Sequence, residues 1–158
     1  MIKQGQMLPS ATLSQLTNTG IQRHNTRELF SNKRAVLFAV PGAFTPLCSE
    51  SHLPGYVALA DQIKGTGIDF IACVSVNDAF VMQAWRKTQR ATDIMMLADG
   101  DGTFTKALGL EINTASFGGI RSQRYVMIIE NGKVTQLNVE KPQAFDTSKA
   151  ETLLATLS

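Results

Sequence analysis

The stretch Lys33-Arg34-Ala35-Val36-Leu37-Phe38-Ala39-Val40-Pro41-Gly42-Ala43-Phe44-Thr45-Pro46-Leu47-Cys48 decides the fold. After a charged entry at Lys33 and Arg34, six apolar residues follow without alternation. That is the pattern of a strand covered on both faces, as in a parallel sheet. Pro41 ends the strand. A helix is predicted to open at Pro46 or Leu47 and to run to Ile63, with a kink at Pro54, whose ring cannot sit in a regular helix interior. Open α/β sheets hold their ligands at the carboxyl ends of central strands. Cys48 falls at such an end.

The flanking chain supports the same architecture. Ala11 to Leu16 and Ile21 to Asn25 flank a turn at Thr17-Asn18-Thr19-Gly20 and read as a short hairpin. Thr26 to Phe30 reads as one helical turn. Ile68 to Val76 is a second buried strand, and Asp78 is placed to cap a helix over Ala79 to Gln89. Ile94 to Ala98 is a third strand, followed by a turn at Asp99-Gly100-Asp101-Gly102. Thr103 to Leu108 reads as a short helix ending at Gly109. Gln123 to Glu130 and Lys133 to Val139 flank Asn131-Gly132, the strongest short-range hairpin signal. Ser148 to Leu157 closes the chain as an amphipathic helix. The expectation is an α/β fold in one domain over 1–158, a central mixed β-sheet flanked by helices, with an N-terminal hairpin.

Composition narrows the function. The chain has 158 residues, 44% hydrophobic and 18% charged, and a net charge of +2. It is globular and holds enough apolar residues for its own core. Its basic residues are scattered, which argues against nucleic acid or an anionic membrane as partner. No stretch approaches the roughly 18 apolar residues of a membrane span. The first residues lack the apolar core of a signal peptide. The default compartment is therefore the cytosol, or an organelle from which a targeting segment has been removed. The two cysteines, Cys48 and Cys73, form no Cys-x-x-Cys pair, and with two histidines they make a poor zinc set.

Cys48 carries the candidate chemistry. Near a helix start it meets unpaired N–H groups and a partial positive charge, and both favour thiolate over thiol. An ordinary cysteine, with pKa ~8.5, is only about 3% thiolate at neutral pH. Making a cysteine mostly thiolate takes a differential stabilisation of about 3 kcal/mol, whereas a helix terminus supplies ~1–2 kcal/mol. A second positive group is required, and arginine suits because it stays charged. The competing reading is a buried cysteine acting as a small apolar residue. Position alone does not decide between them.

The surrounding residues do. Pro41-Gly42-Ala43-Phe44-Thr45-Pro46-Leu47-Cys48 resembles the peroxiredoxin signature Pro-x-x-x-Thr-x-x-Cys. The extension through Ser49-Glu50-Ser51-His52-Leu53-Pro54-Gly55-Tyr56 is similar to the type-5 (type II) subfamily. So are Cys73-Val74-Ser75-Val76-Asn77-Asp78-Ala79-Phe80-Val81-Met82 with Trp85, the segment from Leu97-Ala98-Asp99 to Leu108-Gly109, and Arg124-Tyr125. The resemblance covers nearly the whole chain. It implies a thioredoxin-like fold and a thiol-dependent peroxidase in antioxidant defence. Cys48 would attack hydrogen peroxide or an alkyl hydroperoxide and become a sulfenic acid. Thr45 would orient the peroxide, Pro41 would shield the sulfur from water, and Arg124 would be the second positive group. No metal or organic cofactor is implied, only an external thiol.

The resetting step stays open at this level. Cys73 lies in an apolar strand, which suggests an inert core residue. Its spacing from Cys48 also resembles type II relatives in which the equivalent cysteine is proposed to resolve the sulfenic acid. Asn138 to Ser158 contains no cysteine, so a C-terminal resolving residue is absent. The reductants that fit are glutathione or glutaredoxin, with thioredoxin as the choice for a Cys48–Cys73 bridge. Of the other residues, Arg121 competes with Arg124, but Gly118-Gly119 beside it suggests a loop. His52 could share a helix face with Cys48 and reads as a surface or interface histidine. Trp85 reads as core. Phe44, Phe80 and Phe117 would line an alkyl pocket or a contact in the homodimer that the subfamily implies. The competing function is a peroxide-responsive sensor, in which oxidised Cys48 changes affinity for a partner.

Overall fold

The computed structural model describes residues 1–157. Strands β1 (Thr12–Thr17) and β2 (Gly20–Asn25) form the N-terminal hairpin, followed by α1 (Thr26–Leu29). The central unit is β3 (Arg34–Ala39), a helical segment ending in α2 (Leu53–Lys64), β4 (Phe70–Ser75), α3 (Ala79–Thr88) and β5 (Ile94–Ala98). The chain continues through α4 (Thr103–Leu108), β6 (Glu111–Asn113), β7 (Ile120–Ser122), β8 (Tyr125–Glu130), β9 (Lys133–Val139) and α5 (Ala150–Leu157).

Seven strands form one mixed sheet in the order β2-β1-β5-β4-β3-β8-β9. β3, β4 and β5 run parallel, and β8 lies antiparallel against β3. The apolar run Ala35 to Val40 thus falls on an interior strand, β3, between β4 and β8. Its alternation divides the core. Val36 and Phe38 pack with Tyr56, Ile63, Trp85 and Leu153 on one face, whereas Ala35, Leu37 and Ala39 pack with Phe30, Phe104 and Leu108 on the other. Every side chain from Ala35 to Val40 is fully buried, which is why the run carries no polar alternation.

Four expectations need correction. The helix after Pro46 is not a kinked α-helix: residues Cys48–His52 form a π-helical turn, in which the Leu53 N–H donates to the Cys48 carbonyl. Pro54, at the start of α2, has no N–H to give to the preceding turn. Widening that turn accommodates the missing donor, and such π-bulges often mark functional sites. The final helix begins at Ala150 rather than Ser148, because Ser148 is turned toward Glu140. The second buried strand is shorter than Ile68 to Val76. The short β6–β7 ribbon was not foreseen, since Glu111–Asn113 is exposed and shows no apolar alternation.

The acidic turn after β5 is more than a turn. Asp99 is buried, and its carboxylate accepts from the N–H groups of Phe104 at 3.1 Å and Thr105 at 2.8 Å, closing the first turn of α4. Removing one partner from buried donors costs about 1–3 kcal/mol each. Asp99→Ala is therefore expected to lower the unfolding free energy by roughly 2–4 kcal/mol, measured by urea denaturation.

Candidate active site

Three contacts hold the loop between β3 and Cys48. Arg121 Nη1 donates to the Pro41 carbonyl at 3.1 Å, Thr45 Oγ1 donates to the Gly42 carbonyl at 2.6 Å, and the Ala43 N–H donates to Asn77 Oδ1 at 3.0 Å. Phe44 sits at φ 64, a sparsely populated region for a bulky residue, and such strain gathers at functional sites. The loop delivers Cys48 to the first turn of the helical segment, where N–H groups lack intrahelical acceptors.

Cys48 is fully buried, and Arg124 Nη2 donates to its Sγ at 3.2 Å. The second positive group required on electrostatic grounds is thus in contact with the sulfur. Arg124 lies just before β8, which pairs with β3, so the sheet itself aims the guanidinium at the end of β3. The competing arginine is not a loop residue: Arg121 lies in β7 and contacts the Pro41 carbonyl rather than the sulfur. Its guanidinium occupies the space that a side chain at Gly42 or Gly118 would need. A Cβ at Gly42 would stand 2.4 Å from Arg121 Nη1, and one at Gly118 would stand 2.6 Å from Nε.

His52 is the largest departure from the sequence reading. It is fully buried rather than at the surface, within an aromatic box of Phe38, Tyr56 and Phe145. Arg124 Nη1 donates to His52 Nδ1 at 2.8 Å. On the other side of the ring, Nε2 faces the Ser148 carbonyl at 3.2 Å. A guanidinium only donates and a carbonyl only accepts. The ring must therefore be neutral, with its proton on Nε2. Burial first, and the Arg124 charge second, hold the imidazole down to about 3. The Ser148 carbonyl also accepts from the Tyr56 hydroxyl at 2.7 Å.

Behind Ser148 stands Glu140. Its Oε2 accepts from the Ser148 N–H, the Ser148 hydroxyl and the Asp146 N–H, and Oε1 accepts from the Thr147 hydroxyl. Burial opposes its ionisation, but the Ser148, Asp146 and Thr147 donors outweigh burial and hold the carboxyl down to about 2. Sequence reasoning missed the roles of Glu140 and Ser148, and it named Arg121 only as a competitor of Arg124. Glu140 carries no local signal, since its partners lie six to eight residues away in an irregular segment. The position of His52 four residues after Cys48 hinted at a shared face.

Cys73 is fully buried on β4, between Phe38 of β3 and Met96 of β5. Burial, with a smaller contribution from Cys48, pushes its thiol well up. Phe44, Phe80 and Phe117 are all exposed; Phe44 lies in the loop after β3, Phe80 in the first turn of α3 and Phe117 between β6 and β7. None of them lines the cavity beside Arg124. That cavity, of about 300 Å³, is walled by Pro41, Leu47, Ile112 and the segment from Glu140 to Ala144. A small molecule entering it meets the same guanidinium that meets the sulfur. A donor-lined sulfur nucleophile beside a small cavity can attack a polarised bond and follow the charge that leaves.

Comparison with known proteins agrees with this chemistry. The Redoxin family model matches residues 3–154, and the chain belongs to that family as a peroxiredoxin. A solved structure of reduced Prx3 from Vibrio vulnificus, in complex with hydrogen peroxide, is 66% identical and covers 100% of both chains with a TM-score of 0.99. Peroxiredoxin-2E from Arabidopsis thaliana is 46% identical over 162 residues, covering 99% of this chain and 69% of the relative. Peroxiredoxin 5 from Alvinella pompejana is 34% identical with a TM-score of 0.88, covering 99% of this chain and 98% of that one. The fold is the thioredoxin-like fold of these enzymes. The protein is a thiol-dependent peroxidase, an oxidoreductase of antioxidant defence.

The neutral imidazole has a consequence for stability. The folded His52 is held to about 3, against 6.5 in an unfolded chain. Between these values the unfolded state binds the extra proton, so stability is full above 6.5 and falls as pH drops toward 3. His52→Phe is expected to lose that slope. Urea denaturation at pH 7 and pH 5 will show a smaller difference in the variant than in the unaltered protein.

Proposed function

We propose that Cys48 reduces hydrogen peroxide and alkyl hydroperoxides and is reset by glutathione or glutaredoxin. The observation that carries this reading is the 3.2 Å contact from Arg124 to the sulfur. The Cys48 thiolate attacks one peroxide oxygen, and the O–O bond breaks. The other oxygen takes a proton and leaves as water or an alcohol. Sulfur is oxidised to a sulfenic acid and the peroxide is reduced. Thr45, half-buried three residues before Cys48, has an oxygen free to accept from the peroxide while its hydroxyl donates to Gly42. Pro41 keeps water off the sulfur at the cavity wall. Arg124 follows the negative charge from sulfur to the leaving oxygen.

For the reset, an external thiol attacks the sulfenic sulfur, releases water and leaves a mixed disulfide. A second thiol then frees Cys48 as thiolate. Two observations favour this route over a Cys48–Cys73 bridge. Cys73 is fully buried on a central strand, and its thiol is pushed away from the reactive thiolate form. A bridge would also require local unwinding of the π-helical turn, because disulfide geometry tolerates little displacement. No prosthetic group takes part. The cytosol, with its thiol pool, is the compartment that suits such a cycle.

Peroxide treatment followed by glutathione is expected to give a glutathione adduct on Cys48, seen by peptide mass spectrometry. A Cys48–Cys73 linked peptide would instead assign the reset to an internal bridge. Cys48→Ser should abolish peroxide consumption, whereas Cys73→Ser should leave it within about two-fold.

The exposed Phe44, Phe80 and Phe117 support a homodimer formed through the surface that carries them. Phe117→Asp is expected to shift the protein to monomer in sedimentation velocity.

A further inference from the structure

Four hydrogen bonds close a ring around the sulfur-facing arginine. The Glu140 N–H donates to the Arg124 carbonyl at 2.9 Å. Arg124 Nη1 donates to His52 Nδ1 at 2.8 Å. His52 Nε2 donates to the Ser148 carbonyl at 3.2 Å. The Ser148 N–H donates to Glu140 Oε2 at 2.9 Å. Glu140 thus holds the backbone of Arg124 at one end and, through Ser148 and His52, its guanidinium at the other. Only Arg124 in this ring bonds to the sulfur.

We propose that Glu140 is a positioning residue for Arg124. Its carboxylate folds the segment 140–148 back on itself, and this folding, together with the Tyr56 hydroxyl, places the Ser148 carbonyl against His52. The His52 proton is then committed to Nε2, and Nδ1 stands open to receive one arm of Arg124. With that arm anchored, the other arm is left for Cys48 Sγ. A planar guanidinium has few ways to satisfy two fixed acceptors at once, so the anchor selects the orientation in which Nη2 reaches the sulfur. Glu140 also lines the cavity beside that guanidinium. A carboxylate that merely stapled a surface loop would need no buried histidine between that loop and the sulfur-facing guanidinium.

This inference rests on Cys48 as the reacting sulfur. A double-mutant cycle tests it. Glu140→Gln is made in the unaltered protein and in Arg124→Gln, and the second-order rate of Cys48 oxidation by hydrogen peroxide is read by quenched-flow intact mass. The expected result is a loss of about ten-fold or more in the presence of Arg124 and of less than about two-fold in its absence. An equal loss in both backgrounds, or no loss in the presence of Arg124, overturns the proposal. Should Glu140→Gln fail to fold by circular dichroism, His52→Phe enters the same cycle with the same expected and overturning results. Should peroxide leave Cys48 unoxidised in the unaltered protein, the peroxidase assignment of Cys48 fails instead. The cycle is then read by the rate of Cys48 alkylation with iodoacetamide, with the same non-additivity expected and additivity overturning.

Discussion

The geometry of the site depends on one residue being unable to take a proton. Arg124 points one arm at Cys48 Sγ and the other at His52 Nδ1. The second arm needs a lone pair. An imidazolium would offer a proton there, and donor would face donor. Burial among Phe38, Tyr56 and Phe145, with the guanidinium itself, keeps the ring neutral. The desolvation of one group therefore fixes the direction of another, and that direction sets the field at the sulfur. Buried polar groups are costly when unpaired. Here each acceptor has a donor, from the sulfur to Glu140.

The fold serves this arrangement through strand pairing. β3 brings the loop and Cys48 to one end of the sheet, and β8, antiparallel beside it, starts at that same end. Two residues far apart in the chain thus meet because two strands share a register. The π-helical turn contributes as well. It carries both Cys48 and His52, so the sulfur and the acceptor that orients its partner belong to a single turn of chain. Strain at Phe44 and the contacts from Arg121 and Asn77 keep the approach to that turn in one conformation.

Much of this was legible in the sequence. An uninterrupted apolar run can only be buried on both faces, so β3 and its interior place followed from residues 35–40. Asn131-Gly132 fixed the hairpin because few residue pairs accept its backbone; both adopt positive φ in the structure. Need for a second positive group pointed to an arginine, the family resemblance singled out Arg124, and Arg124 is the one that bonds to the sulfur. What escaped was long-range or irregular. His52 looked polar and hence exposed, and only the tertiary packing supplies the aromatic box and the two partners that let it be buried. Glu140 bonds to a segment without regular structure, for which periodicity says nothing. The π-helical turn escaped because Pro54 signals trouble in a helix without saying whether the chain bends or widens.

Arg121 leaves a trace of a different kind. Its guanidinium fills the space above Gly42 and Gly118 at once, and neither glycine adopts a left-handed backbone. Both are small because an arginine lies on them, not because the chain must turn. Two loop glycines and one strand arginine are therefore bound into one unit of inheritance. A methyl group at either glycine would have to displace the far end of Arg121, and with it the contact to the Pro41 carbonyl.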